Sequence, residues 1–222
     1  MSTPRALLLD IGGVLLTSGH ERMAELGVRR PELASFTDVR GLLGPATDPA
    51  WDDVLAERSR ERGYWAARAA EYAALVGDSS DRGVPALMEV LYPEVEGIEH
   101  FRPEVVALMD DAHAGGLVVA ALTNDLAAFH GEADLTDHPV LSRFDTIVDG
   151  SVTGVLKPDP GAYRIALEAL GCAADEVVFV DDIPGNCAGA RRAGLVTIEV
   201  DLRDPGVAFG RVRDALGLWA AA

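Results

Sequence analysis

Five short apolar runs recur along the chain: Ala6–Ile11 (ALLLDI), Leu117–Asn124 (LVVAALTN), Thr146–Asp149 (TIVD), Val177–Asp182 (VVFVDD) and Val196–Val200 (VTIEV). Their apolar residues are consecutive rather than alternating, which suits strands buried on both faces of a parallel sheet. Between the later runs lie segments with helix-end chemistry. Arg102-Pro103-Glu104 opens one helix and His113-Ala114-Gly115-Gly116 stops it. Asp159 before Pro160 reads as an N-cap with a first-turn proline, Gly171 ends that helix, and Pro184 opens another that runs to Gly194. Strand and helix in alternation predict right-handed βαβ units, hence an α/β fold with a doubly wound parallel sheet.

Residues 20–98 break the alternation. They contain no convincing strand pattern but do carry amphipathic stretches, such as Trp51–Val76. The expected organisation is an α/β core domain made of residues 1–19 and 99–222, with a helical cap domain, 20–98, inserted just after the first strand. Trp51, Trp65 and Tyr72 are expected to form the core of that lobe.

Composition narrows the choice of partner. The chain has 222 residues, 49% apolar and only 6% aromatic, so its core must rest on Val, Leu, Ile and Ala. A formal net charge of −17, spread along the sequence, repels phosphate backbones and anionic lipid, arguing against nucleic-acid or membrane-surface binding. An anionic substrate would need a local positive centre. Among 19 basic residues there is one lysine, Lys157. Arginine replaces lysine freely on a solvated face but not where a compact ammonium must fit, which makes Lys157 a functional candidate. Cys172 and Cys187 lack metal-ligand spacing and read as reduced core residues. With no secretory pattern at the N-terminus, a cytoplasmic protein is expected, as monomer or homodimer.

In an open parallel sheet, ligands bind beyond the carboxyl ends of the strands. The runs end there in Asp10, Thr123-Asn124 and Asp181-Asp182, and Lys157 lies in the loop before the Asp159-capped helix. Four segments, Leu7-Leu8-Leu9-Asp10-Ile11-Gly12-Gly13-Val14-Leu15, Ala121-Leu122-Thr123-Asn124, Leu156-Lys157-Pro158-Asp159 and Phe179-Val180-Asp181-Asp182-Ile183-Pro184-Gly185-Asn186, resemble in order the four motifs of the haloacid dehalogenase (HAD) superfamily. The helical insertion matches the subgroup with a cap after the first motif. The resemblance implies a Mg²⁺-dependent phosphoric monoester hydrolase acting on a small phosphorylated metabolite. Asp10 would be the nucleophile; Thr123, Asn124 and Lys157 would contact the phosphoryl group. Asp10, the Gly12 carbonyl, Asp181 and Asp182 would hold the metal, and Asn186 would orient a ligand or water.

One position departs from that pattern. Phosphatases of the superfamily usually carry a second Asp two residues after the nucleophile, whose carbonyl binds metal and whose side chain protonates the leaving oxygen. Here it is Gly12, which keeps the carbonyl and lacks the acid. The expectation is a preference for activated leaving groups, or a proton donor recruited from the cap or the substrate. Two alternatives stand beside it: a phosphate-binding protein with little or no activity, and a 2-haloacid dehalogenase, whose halide leaves unprotonated.

Overall fold

A computed structural model describes residues 2–38, 48–93, 98–130 and 138–218. Five parallel strands, β1 (Ala6–Leu9), β2 (Val118–Thr123), β3 (Thr146–Asp149), β4 (Val177–Asp181) and β5 (Val196–Glu199), form one sheet in the order β3-β2-β1-β4-β5. Each lies within one of the expected apolar runs. β1 is central, with Leu9 level with Ala121 on one side and Val180 on the other. Leu7, Leu8 and Leu9 are fully buried because both faces of the sheet are covered.

Helices follow the chain as α1 (Gly19–Arg29), α2 (Ala34–Thr37), α3 (Pro49–Leu55), α4 (Glu61–Val76), α5 (Val84–Leu91), α6 (Pro103–Ala114), α7 (Leu126–His130), α8 (Gly150–Thr153), α9 (Pro160–Leu170), α10 (Pro184–Arg192) and α11 (Pro205–Leu216). Asp159 caps α9 by accepting from the Gly161 N–H, and Gly171 ends it with φ +61°. α9 and α10 bring Tyr163, Ala166 and Ala190 onto a cluster with Leu8, Ala120, Leu122 and Phe179. α6 and α11 pack on each other and on the sheet. This core unit comprises residues up to Thr17, Ile98–Leu126 and the chain from Asp134 onward.

A second compact unit gathers Ser18–Gly97 and a short stretch beginning at Ala127. Its interior is aromatic: His20, Trp51, Tyr64 and Trp65 are buried and meet at centroid distances of 4.4–6.4 Å, mostly edge-on or tilted, with His20 stacked on Tyr64. Tyr72 packs on Phe36 instead. The Trp51–Val76 stretch is not continuous. It breaks between Leu55 and Glu61, where Glu57 takes φ +58° and the Arg58 and Ser59 N–H groups both bond the Asp53 carbonyl. Among the described residues, no helix is long and apolar enough to cross a membrane. Cys187 is buried and Cys172 half-buried, both free thiols.

Candidate active site

The strand order makes β1 a switch point. The chain leaves β1 for β2 and β3 on one side and returns to β4 and β5 on the other, so the loops after β1, β2 and β4 open onto one crevice. Asp10 leaves β1 with its N–H still bonded to the Val180 carbonyl at 2.9 Å. Its carboxylate Oδ1 accepts from the Ile11 N–H at 2.7 Å and lies 2.9 Å from Lys157 Nζ. The backbone then makes a wide turn over Ile11–Leu15, closed by the Leu16 N–H on the Ile11 carbonyl.

The two glycines in that turn differ physically. Gly13 has φ +71°, and a Cβ there would stand 2.3 Å from Asp182 Oδ2. Only glycine permits that approach of carboxylate to backbone. Gly12, with φ −63° and ψ 134°, is exposed and would meet nothing within 4 Å of an added Cβ.

Lys157 is fully engaged. It is 3% exposed, and its ammonium bridges Asp10 and Asp181 Oδ2, the latter at 2.7 Å, while lying 5.6 Å from the Phe179 ring centroid. Burial opposes its charge, but Asp10 and Asp181 more than offset that, so its pKa is raised. Its main chain is held by Asn124: the Lys157 N–H donates to Oδ1 at 2.7 Å, and Nδ2 donates to the Lys157 carbonyl at 3.2 Å. Asn124, expected against substrate, therefore has its amide turned to the lysine loop. A primary amide matches a peptide group in both directions, which explains the pairing.

The adjacent acids also separate. Asp181 is wholly buried, and both oxygens accept: Oδ1 from the Ile183 N–H at 2.8 Å and Asn186 Nδ2 at 3.1 Å, Oδ2 from Lys157 and Asn186 Nδ2 at 3.2 Å. Asn186 is in turn fixed through its carbonyl, which accepts from Tyr163 Oη at 2.7 Å. Asp182 is half-buried and lies against Gly13. Thr123 ends β2 at the same sheet edge, buried and level with Asp149. The crevice thus collects Asp10, Asp181, Asp182, Lys157 and Asn186. Arg102, which the sequence marked only as a helix start, also belongs here, since its Nε donates to the Gly13 carbonyl at 3.2 Å.

The donor set fits a hard divalent cation. Asp10, Asp181 and Asp182 each offer an oxygen, all within 4.8 Å of one another. Three carboxylates against the Lys157 ammonium and the Arg102 guanidinium still leave the cluster net negative, which a dication offsets.

Comparison with known proteins gives a consistent result. A family model described as haloacid dehalogenase-like hydrolase matches residues 4–194. Phosphoglycolate phosphatase of Yersinia pseudotuberculosis is 28% identical over 201 residues, 87% of this chain and 79% of that protein. Phosphatase MT3486 of Mycobacterium tuberculosis is 33% identical over 118 residues, 53% of this chain and 54% of that one. A crystal structure of a dehalogenase shares the fold, with a TM-score of 0.62 over 90% of this chain and 86% of that chain at 19% identity. The chain spans 18% and 54% of the length of the first two curated relatives it matches.

Proposed function

The chain belongs to the haloacid dehalogenase-like hydrolase family, and on that premise we propose that it hydrolyses phosphoric monoesters of small metabolites with Asp10 as nucleophile. The observation that carries this reading is the bridged pair of Asp10 and Lys157 beside two further carboxylates, at the switch point of the sheet. The similarity to two phosphatases supports it.

Asp10 Oδ1 is held by the Ile11 N–H and Lys157, which fixes the carboxylate that bonds phosphorus. As that bond forms, the ester P–O bond breaks and its electron pair leaves with the alcohol oxygen. Water then displaces Asp10 from phosphorus, giving inorganic phosphate and the free carboxylate, and the proton it sheds to solvent balances the one the departed oxygen takes up there. Lys157 and the Thr123 hydroxyl hold phosphoryl oxygens through both displacements. Asp10, the Gly12 carbonyl and Asp182 would hold Mg²⁺. Asp181, whose oxygens also accept from Lys157, Ile183 and Asn186, sets Lys157 and would add its negative charge to the same ion. When bound, Mg²⁺ supplies the positive charge that lets a carboxylate approach a dianionic group.

Gly12 provides no proton for the departing oxygen, so esters of acidic alcohols, phenols or acids are the favoured substrates. A screen of small phosphoesters with and without Mg²⁺, run beside Asp10→Asn, tests the reading. Mg²⁺-dependent phosphate release that vanishes in the variant is expected. Turnover surviving Asp10→Asn would remove the nucleophile from the scheme. Dehalogenation is the weaker reading because displacing halide needs no cation, whereas Asp10, Asp181 and Asp182 offer oxygens within 4.8 Å of one another; chloride release from 2-chloroacids in EDTA would reinstate it.

A further inference from the structure

The turn after β1 is held by a segment far along the chain, with Arg102 lying 89 residues beyond Gly13. The Thr17 N–H bonds the His100 carbonyl at 2.9 Å, Leu16 pairs antiparallel with Phe101, and the Arg102 N–H bonds the Leu15 carbonyl at 2.8 Å. These main-chain contacts bring Arg102, 7% exposed, alongside the turn, where its Nε–H reaches the Gly13 carbonyl. Gly13 is the residue whose Cα face receives the Asp182 carboxylate. A shift of a few tenths of an ångström in Gly13 therefore moves the space open to Asp182, and it pulls on the preceding peptide, whose Gly12 carbonyl is joined to it through the Gly13 Cα.

We propose that Arg102 is a positioning residue of the carboxylate cluster: by holding the Gly13 carbonyl it fixes the seat of Asp182 and restrains the turn that carries the Gly12 carbonyl, and so sets the affinity of the site for a divalent ion. The proposal rests on the reading that these residues hold a metal. Outer-shell partners of metal ligands typically contribute 10–100-fold to affinity, and a guanidinium fork is well suited to hold a carbonyl in a fixed direction. Lysine cannot reproduce the contact. A methylene replaces Nε at the height where the donor stands, although charge and stem are kept.

Calorimetric titration with Mn²⁺, without substrate, tests this on wild type, Arg102→Met and Arg102→Lys, each with its thermal midpoint. Arg102→Met is expected to weaken Mn²⁺ binding about 10–100-fold, and Arg102→Lys by at least about 3-fold, while the folded state persists. If Arg102→Met fails to fold, Arg102→Lys decides. Folded variants that bind Mn²⁺ as tightly as wild type overturn the proposal and leave the metal reading intact. A wild type with no Mn²⁺ affinity overturns the metal reading, and this proposal with it.

Discussion

Replacing Gly12 by aspartate should raise hydrolysis of alkyl phosphates relative to that of activated esters. The position tolerates the change. Its φ of −63° and ψ of 134° are open to any L-residue, and an added Cβ meets nothing within 4 Å. Removing a glycine there reduces the entropy of the unfolded chain, worth about 0.4–1 kcal/mol in favour of folding. A fourth carboxylate beside Asp10, Asp181 and Asp182 acts against this, but at an exposed position the repulsion is screened. The two effects roughly cancel, so stability should change by less than about 1 kcal/mol.

The catalytic effect is much larger. A positioned general acid is worth roughly 10²–10⁴-fold, or about 3–5 kcal/mol of barrier, when the leaving group is an alkoxide. A nitrophenolate leaves without help, so its rate should move little. The assay is kcat/KM for p-nitrophenyl phosphate and for glycerol phosphate with wild type, Gly12→Asp and Gly12→Asn. Gly12→Asp should raise the alkyl-to-aryl ratio by about two to four orders of magnitude, whereas Gly12→Asn, equal in size but without the proton, should leave it near the wild-type value. Equal ratios in the two variants would refute the reasoning. So would a wild type that already cleaves both esters alike, because the proton would then come from a group that does not depend on residue 12.

Three further outcomes follow from the same geometry. Lys157→Met removes the cation between two buried carboxylates and should cost about 3–5 kcal/mol, roughly 10 °C in Tm for a chain of this size; melting in EDTA reads it, and an unchanged midpoint would mean that the carboxylates are neutralised by another route. Gly13→Ala places a methyl group where Asp182 Oδ2 lies and requires φ +71° of an alanine, so urea unfolding should show a loss of about 2–4 kcal/mol. A loss under about 1 kcal/mol would show that Asp182 swings aside freely. In the helical unit, burial lowers the pKa of His20 from 6.5 to about 4, opposed chiefly by Asp48. The unfolded chain therefore binds more protons between those values, and stability is lost as pH falls through the window. Between pH 7 and pH 5, wild type should lose about 2 kcal/mol more than His20→Gln. Parallel urea curves at the two pH values would contradict it.

The fold was legible because the three central strands, β1, β2 and β4, are buried on both faces and announce themselves as unbroken apolar runs, while the half-exposed edge strands β3 and β5 are mixed. Asp10, Thr123 and Asp181 were legible because a parallel sheet collects the carboxyl ends of its strands at one edge, whatever lies between them in sequence. What stayed hidden depends on contacts across the fold. Asn124 follows Thr123 directly, yet its amide is turned to Lys157, 33 residues on; successive residues at a strand end point in different directions, and only the path of the neighbouring loop decides what each meets. Asp181 and Asp182 look equivalent in a sequence for the same reason. One is buried under Lys157, Ile183 and Asn186, while the other reaches Gly13. Arg102 carried a local signal, the proline after it, and that signal concerned the start of a helix rather than the carbonyl it grips. The break at Glu57 was hidden too, since a turn closed by Asp53 leaves the amphipathic pattern on either side intact.

Lys157 shows how the two kinds of information combine. Its isolation among eighteen arginines marked it before any contact was known, and the structure supplies the reason for the residue type. An ammonium with three donors can serve Asp10 at 2.9 Å and Asp181 at 2.7 Å from a single nitrogen. A guanidinium would have to place a planar fork where the Phe179 ring lies 5.6 Å from that nitrogen. Lys157→Arg should therefore fail to restore what Lys157→Met loses, although it keeps the charge. Recovery of the thermal midpoint in Lys157→Arg would show that charge alone, without its compact geometry, holds the two carboxylates together.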